Sequence, residues 1–244
     1  MDFITDLLAL GKLPPSARIA TCDAKAMYTN IDTSHALTTI RTFLVSSQTA
    51  RQQLRVSIDV FMHGLHAVMT HNVFRFGDTY WLQMAGTAMG GSPAPMYATL
   101  YFGILEQQIL PRFPSCRFYR RYIDDGFLVW IPDPNWSLDV GLLKWQSFQA
   151  AFASASPLEW KFSPLLLMVA FLDVMVKITD DGQITTQVYK KPQNLYLYLP
   201  PHSCHAPGIT KSLVFGMILR YFRISSDRNA AWKNVQKFLE RLVE

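Results

Sequence analysis

Two carboxylates stand side by side, Asp124-Asp125, where the apolar runs Arg117-Phe118-Tyr119-Arg120-Arg121-Tyr122-Ile123 and Gly126-Phe127-Leu128-Val129-Trp130 meet. Like charges held this close raise each other's pKa unless a cation neutralises them. Magnesium is the natural neutraliser: it takes oxygen ligands and is held by one or two carboxylates together with substrate phosphates. A further acid from elsewhere in the chain would complete a two-metal site. Asp23, closing a short strand-like segment, is the candidate. In isolation, Asp124-Asp125-Gly126 reads first as a surface turn, and it is the combination with Asp23 and the glycine-rich segment that favours a site. The glycine-rich stretch Gly86-Thr87-Ala88-Met89-Gly90-Gly91-Ser92-Pro93 offers close backbone approach, or simply a turn ahead of a proline-started helix, and has no P-loop pattern.

The elements that must position these residues follow from pattern. Residues 17–26 read as a strand up to Asp23. The apolar spacing over 33–46 is helical behind an Asp32 or Thr33 cap, and a second helix is predicted over 52–70. Residues 74–81 alternate around Gly77-Asp78 as a hairpin does, and Pro95 opens an apolar helix to about Leu110. Residues 117–130 read as a hairpin with the acids at its tip. A helix over 138–153, a strand near Trp160, a hairpin around Asp180-Asp181-Gly182 and a basic helical segment from Lys211 complete the order. Strands and helices mix without βαβ alternation, which favours the α+β class.

Half the 244 residues are apolar and 13% aromatic, enough for one large core and against disorder as the default. The net charge of +5 and pI of about 9.1 suit a polyanionic partner without requiring one. Cys22, Cys116 and Cys204 are far apart and odd in number, so no disulfide partner is expected. The first residues lack a secretory pattern, and the longest apolar run, 165–176, is interrupted by Asp173 and too short to span a bilayer. The expectation is a protein that is not secreted and not in the membrane, nuclear or cytoplasmic.

The order Asp23-x4-Tyr28, Gly86-Thr87-Ala88-Met89-Gly90, Tyr122-Ile123-Asp124-Asp125, Phe171-Leu172-Asp173-Val174 resembles the palm motifs of reverse transcriptases. Met27-Tyr28-Thr29-Asn30-Ile31, Ala94-Pro95, Arg121, Tyr189-Lys190-Lys191-Pro192, Ser203-Cys204-His205 and residues 219–226 resemble the Penelope-like retroelement branch in particular. The resemblance implies a right-hand polymerase palm, an antiparallel sheet with packed helices, followed by a helical thumb-like region. It implies a residual N-terminal segment over 1–18, a palm with partial fingers over 19–192 and a basic thumb-like region over 193–244. The implied activity is RNA-directed DNA polymerisation from an RNA template, a DNA primer and deoxynucleoside triphosphates, with two Mg2+ ions for which Mn2+ can substitute. Asp23, Asp124 and Asp125 would hold the metals. Tyr28 would be the gate against a ribose 2′-hydroxyl, Met89 and Gly90 would line the templating base and incoming nucleotide, and Phe171, Leu172 and Asp173 would form the primer grip. Lys161 would protonate the leaving pyrophosphate, although a lysine at a strand edge is otherwise simply solvated.

The sequence departs from that family in one respect. Only twenty-two residues precede Asp23, with Lys12 and Arg18 as their basic residues, so the triphosphate-holding fingers look absent and no C-terminal endonuclease is expected. A truncated, catalytically inactive nucleic-acid-binding remnant is therefore the alternative, and an unrelated metal-dependent nuclease is a third reading. His63, His66 and His71 lie on or near one helix without a cysteine or acid to complete a zinc site, and His202-Ser203-Cys204-His205 is too compact for one. From Thr210 onward Lys211, Arg220, Arg223, Arg228, Lys233, Lys237 and Arg241 alternate with Phe215, Tyr221, Phe222 and Trp232. This mixture suits a nucleic-acid backbone or an amphipathic helix pair, with the aromatics expected in the core.

Overall fold

The computed structural model describes residues 3–193 and 204–243. Its centre is a four-stranded antiparallel sheet of order β4-β5-β1-β6, built from β1 (Arg18–Ala24), β4 (Cys116–Tyr122), β5 (Asp125–Trp130) and β6 (Trp160–Phe162). A period of two sends alternate side chains of a strand to opposite faces. In β5 both faces are covered, so Gly126, Phe127, Leu128, Val129 and Trp130 are all buried, which explains a continuous apolar run rather than an alternating one. Leu128 and Trp130 meet Ala20 of β1 and the aromatic stripe Trp145, Phe148 and Phe152 of α7 (Leu138–Ala155). Phe127 and Val129 face the other way, onto Ile19, Phe118 and a second, three-stranded sheet.

That second sheet, β7 (Met168–Phe171), β8 (Val174–Ile178) and β9 (Ile184–Val188), is an antiparallel meander. The expected hairpin at Asp180-Asp181-Gly182 is its β8–β9 turn, whereas the single apolar run over 165–176 holds two strands and the turn between them. The short helix α1 (Phe3–Leu8) plugs the space between the sheets: Leu7 is fully buried, and the Phe3 ring lies 5.2 Å from that of Phe127 and 5.0 Å from that of Phe171.

A helical layer flanks the sheet beyond β1. After the single turn α2 (Met27–Asn30) comes α3 (Thr33–Ser46), whose N-terminus is closed by the Asp32 carboxylate accepting from His35 N at 2.9 Å. Ala36, Ile40 and Leu44, spaced by four, bury one stripe of it against α6 (Ala94–Ile109), which carries Pro95 in its first turn. The single helix expected over 52–70 is two helices, α4 (Gln48–Gln53) and α5 (Ile58–Thr70). Leu54 turns to extended backbone, and Ser57, also extended, caps the second helix by accepting from Val60 N at 3.3 Å. Between α5 and α6 the expected hairpin forms as β2 (Val73–Phe76) and β3 (Thr79–Leu82), every residue of it exposed.

Two helices end the described chain, α8 (Ile209–Ile224) and α9 (Arg228–Val243). Ala231, Val235 and Phe238 of α9 are buried, and the last two pack on Tyr221 of α8, so Phe238→Ala should cost about 3–5 kcal/mol. The aromatics expected in the core here divide: Tyr221 is buried, but Phe215, Phe222 and Trp232 are exposed. They lie on the solvent side of an amphipathic pair, where the Phe222 and Trp232 rings tilt against each other with centroids 6.3 Å apart.

Candidate active site

Strand register puts three charged residues in one row. Asp23 of β1 is the direct cross-strand partner of Asp125 in β5 on one side and of Lys161 in β6 on the other. All three sit on the face that carries Ile19 and Phe127, the face turned toward the second sheet: Asp23 and Asp125 are an even number of residues from Ile19 and Phe127 along their own strands, and Lys161 shares the face as the register partner of Asp23. A cavity of about 310 Å3 opens there, lined by Thr21, Asp23, Asp125 and Lys161 from the large sheet, by Phe171 at the end of β7 and by Leu172 in the β7–β8 turn, among others.

The acids do not both sit at the hairpin tip. Tyr122 pairs with Asp125, so the two turn residues are Ile123 and Asp124, while Asp125 and Gly126 already belong to β5. Asp124 is tied to the first strand by its carbonyl, which accepts from Ala24 N at 3.1 Å. Ile123 has φ 55°, a left-handed conformation that costs an ordinary residue about 1–2 kcal/mol and a β-branched one more. Leu172, in the β7–β8 turn on the opposite wall, has φ 54°, and Ala26, just past the end of β1, has φ 46°. Among the described residues these are the non-glycine residues with positive φ, and all three flank the cavity or the strands that feed it. Strain of this kind persists only where surrounding packing over-determines it, and it gathers at functional sites.

The electrostatics agree with the geometry. The half-buried Asp125 carboxyl is held above the ordinary carboxylate range, first by burial of its charge, then by the like charges of Asp124 and Asp23, with Lys191 pulling the other way. Three acids therefore interact across the end of β1 and the β4–β5 hairpin, and the charge they accumulate is what a divalent cation would relieve. Among the described residues no three His, Cys, Asp or Glu side chains form a ready-made ligand cage. Magnesium does not need one, since it keeps several waters and shares substrate phosphates, so the donor set fits that ion.

The glycine-rich segment is docked on α2, just past the end of β1. Thr87 N donates to the Tyr28 carbonyl at 2.5 Å, and Gly86, at φ 74°, lies so close that a Cβ there would stand 2.6 Å from Thr29 O and 2.7 Å from Tyr28 O. This contact fixes Tyr28 relative to the segment, and its ring is partly buried against the helical core. Tyr28, Met89 and Gly90 are not among the residues lining the cavity, and Met89 and Gly90 are exposed. Asp173 is turned outward instead, where Arg220 of α8 donates Nε to its Oδ2 at 2.8 Å.

Lys191 is the site residue that motif reading passed over; it stood in Tyr189-Lys190-Lys191-Pro192 without a role, and only the fold brings its charge near Asp125. His63 Nδ1 in α5 lies 2.7 Å from Asp59 O, and His71 Nδ1, at the C-cap, lies 3.0 Å from Ala67 O. His202 and Ser203 lie outside the described residues. No described helix is long and apolar enough to cross a membrane, and the three cysteines are free.

No protein-family model matches the chain. The telomerase reverse transcriptase of Oryza sativa subsp. japonica is 34% identical over 59 residues, 24% of this chain and 5% of that protein. Telomerase from Candida albicans, solved in complex with a TWJ fragment of telomeric RNA, superposes with TM-score 0.64 at 12% identity, covering 98% of this chain and 40% of that one. Apo telomerase from Candida tropicalis, truncated of its C-terminal domain, gives 0.54 at 11% identity over 77% of this chain and 38% of its own. The chain thus spans about two fifths of the solved chains it resembles and a twentieth of the rice protein. What the likeness establishes is the fold: a polymerase palm, with helices packed on antiparallel strands, followed by a thumb-like helix pair.

Proposed function

We propose that this chain is the palm and thumb part of an RNA-directed DNA polymerase, a reverse transcriptase of a retroelement whose motif wording is that of the Penelope-like branch. The observation that carries the reading is the row Lys161–Asp23–Asp125 on the wall of one cavity, with Asp124 at the adjoining turn. The palm fold shared with the Candida telomerases supports it.

In this reading Asp23, Asp124 and Asp125 hold two Mg2+ ions, for which Mn2+ can substitute. Those ions, when bound, lower the pKa of a primer 3′-hydroxyl and stabilise charge on the departing pyrophosphate. The chain's own part is to hold the carboxylates at fixed spacing on two strands, so that little reorganisation is left for the reacting state. Lys161, beside Asp23 and exposed to the cavity, delivers a proton to the pyrophosphate oxygen. Leu172 and Phe171 form the opposite wall, where a primer end is gripped. Tyr28 discriminates against a ribose 2′-hydroxyl, and Met89 and Gly90 contact the templating pair once template, primer and deoxynucleoside triphosphate are in place. The basic face of α8 and α9 tracks the duplex backbone.

The test is Mg2+- or Mn2+-dependent extension of a DNA primer on an RNA template by the purified chain, with Asp124→Ala alongside. Extension by the first and a loss of at least about 10³-fold in the second is expected, since the carboxylate acts in the reacting state. No extension by either, with template binding retained, would sink the catalytic reading in favour of a nucleic-acid-binding remnant.

A further inference from the structure

One guanidinium grips the turn that carries Asp124. Arg121, near the end of β4, has a side chain only 4% exposed. Its Nη1 donates to the Ile123 carbonyl at 2.7 Å, and its Nη2 to Thr99 O and to Glu106 Oε2, both at 3.2 Å. Its Nε donates to Glu106 Oε1, and its plane lies over the Phe102 ring at 5.4 Å from the centroid. Glu106 is itself only 13% exposed and accepts a further bond from the Tyr119 hydroxyl at 2.8 Å. Thr99, Phe102 and Glu106 all belong to α6, the helix that follows the glycine-rich segment.

A buried ion pair is a poor device for stability, because desolvation offsets most of the attraction. It is a good device for geometry: the guanidinium fork fixes several acceptors at once, which a lysine ammonium cannot do. The acceptor held here is the carbonyl of Ile123, the β-branched residue in left-handed backbone that precedes Asp124.

We propose that Arg121, oriented by Glu106, is a positioning residue for nucleotidyl transfer: it locks the Ile123 peptide and thereby sets the spacing of Asp124 and Asp125 against Asp23. The assignment rests on the polymerase reading of the cavity. Arg121 touches no reacting atom in this scheme; it acts through the turn.

The test compares the wild-type chain with Arg121→Lys, Ile123→Gly and the double variant. Single-turnover nucleotide incorporation, its Mg2+ midpoint, Mn2+ binding to the free chain by electron paramagnetic resonance, and amide exchange at 123–126 are measured on each. Arg121→Lys should lose on the order of 10–100-fold in incorporation and in Mn2+ affinity, the range carried by groups that orient metal ligands. Primer–template affinity should hold, and exchange at 123–126 should quicken. Ile123→Gly in the Arg121→Lys background should recover part of that loss, because glycine takes left-handed backbone without strain. A lowered Tm with unchanged Mg2+ midpoint, unchanged Mn2+ affinity and no recovery would assign the pair to stability alone and overturn the proposal. If the wild-type chain extends no primer, the polymerase reading fails; Mn2+ affinity and amide exchange then decide the clamp by themselves, and equality of wild type and Arg121→Lys on both refutes it. Should Arg121→Lys not fold, Glu106→Gln is expected to shift both quantities in the same direction, and no shift in either counts against the clamp.

Discussion

Asp23 and Asp125 face each other across the β1–β5 ladder, two like charges in directly opposed positions of adjacent strands. Cross-strand partners have Cβ atoms about 4.5–5.5 Å apart, and like charges so placed are destabilising. The fold therefore carries an electrostatic cost at this point, and its removal is measurable.

Asp125→Asn should raise Tm by a few degrees at pH 7 in the presence of a chelator. The folded state holds the Asp125 proton more tightly than the unfolded chain does, since burial, Asp124 and Asp23 all raise its pKa. Stability then falls as pH rises from the unfolded carboxylate's range through the folded value, and the advantage of the amide should vanish below that range. Added Mg2+ should stabilise the wild-type chain more than the variant, by about 2.7 kcal/mol at a hundred times Kd for a site the variant has lost. Thermal unfolding between pH 3 and 8, with and without Mg2+, measures all three; a variant less stable than wild type at pH 7 would contradict the like-charge account.

Lys161 lies on the other flank of Asp23, at an exposed position of an edge strand whose other neighbours say little about its purpose. If it donates a proton, Lys161→Ala should lower the incorporation rate constant by roughly 10²–10⁴, the usual span of general acid catalysis, with primer–template affinity little changed. Lys161→Arg keeps the charge but not a proton that can leave, and should fall nearly as far. Full activity in the arginine variant would reduce the role of Lys161 to charge.

Much of this arrangement was legible in the sequence, and the misses have physical causes. Asp23, Asp124 and Asp125 stand out only as a set of acids interrupting apolar strands, since Asp124-Asp125-Gly126 by itself reads as a surface turn. The hairpin tip was misplaced by one residue, since Asp-Gly is a standard turn pair, whereas here Ile123 takes the left-handed position that glycine usually fills and Gly126 sits inside β5. The β7–β8 turn carries no glycine either: Leu172 has the positive φ, and a turn at Phe171-Leu172-Asp173 follows from the resemblance rather than from turn chemistry. The end of α4 was missed although Ser57 ahead of an apolar run is a cap signal. Lys161 reaches Asp23 through long-range strand pairing and the Lys191 charge comes near Asp125 through the fold, neither of which local pattern can supply.

Gly126 owes its identity to Cys22. The two are cross-strand partners, and a Cβ on residue 126 would stand 2.4 Å from Cys22 Sγ and 3.2 Å from the Tyr119 hydroxyl. The Cys22 thiol is pushed up to about 12, chiefly by burial, so it stays neutral and acts as an apolar packing group. Gly126→Ala should destabilise by about 1–3 kcal/mol through overpacking. Cys22→Ala in that background should recover most of the loss, because the offending atom is gone. Denaturant unfolding of the two single variants and the double variant gives the coupling energy; additive effects would show that the contact does not govern the site.

Gly86 and Gly90 both have positive φ, 74° and 87°, and both belong to the segment expected to approach the nucleotide, yet their surroundings differ. A Cβ at Gly90 meets nothing within 4 Å, so Gly90→Ala should cost only the left-handed strain, about 1–2 kcal/mol. At Gly86 the same strain is joined by contacts of 2.6 to 2.8 Å with the backbone of Tyr28 and Thr29, which no rotamer change relieves. Gly86→Ala should therefore cost a further 1–3 kcal/mol or so, and should do so by pushing the segment off the Tyr28 carbonyl that Thr87 N now holds. Displacement of Tyr28 has a functional signature if its ring is the sugar gate: discrimination of deoxynucleotides over ribonucleotides should fall in Gly86→Ala, as in Tyr28→Ala, and remain in Gly90→Ala. Competitive incorporation measured on the three variants separates the two effects. Intact discrimination in Tyr28→Ala would remove the gate from this residue, whereas its loss there but not in Gly86→Ala would show that the ring keeps its place without the glycine contact.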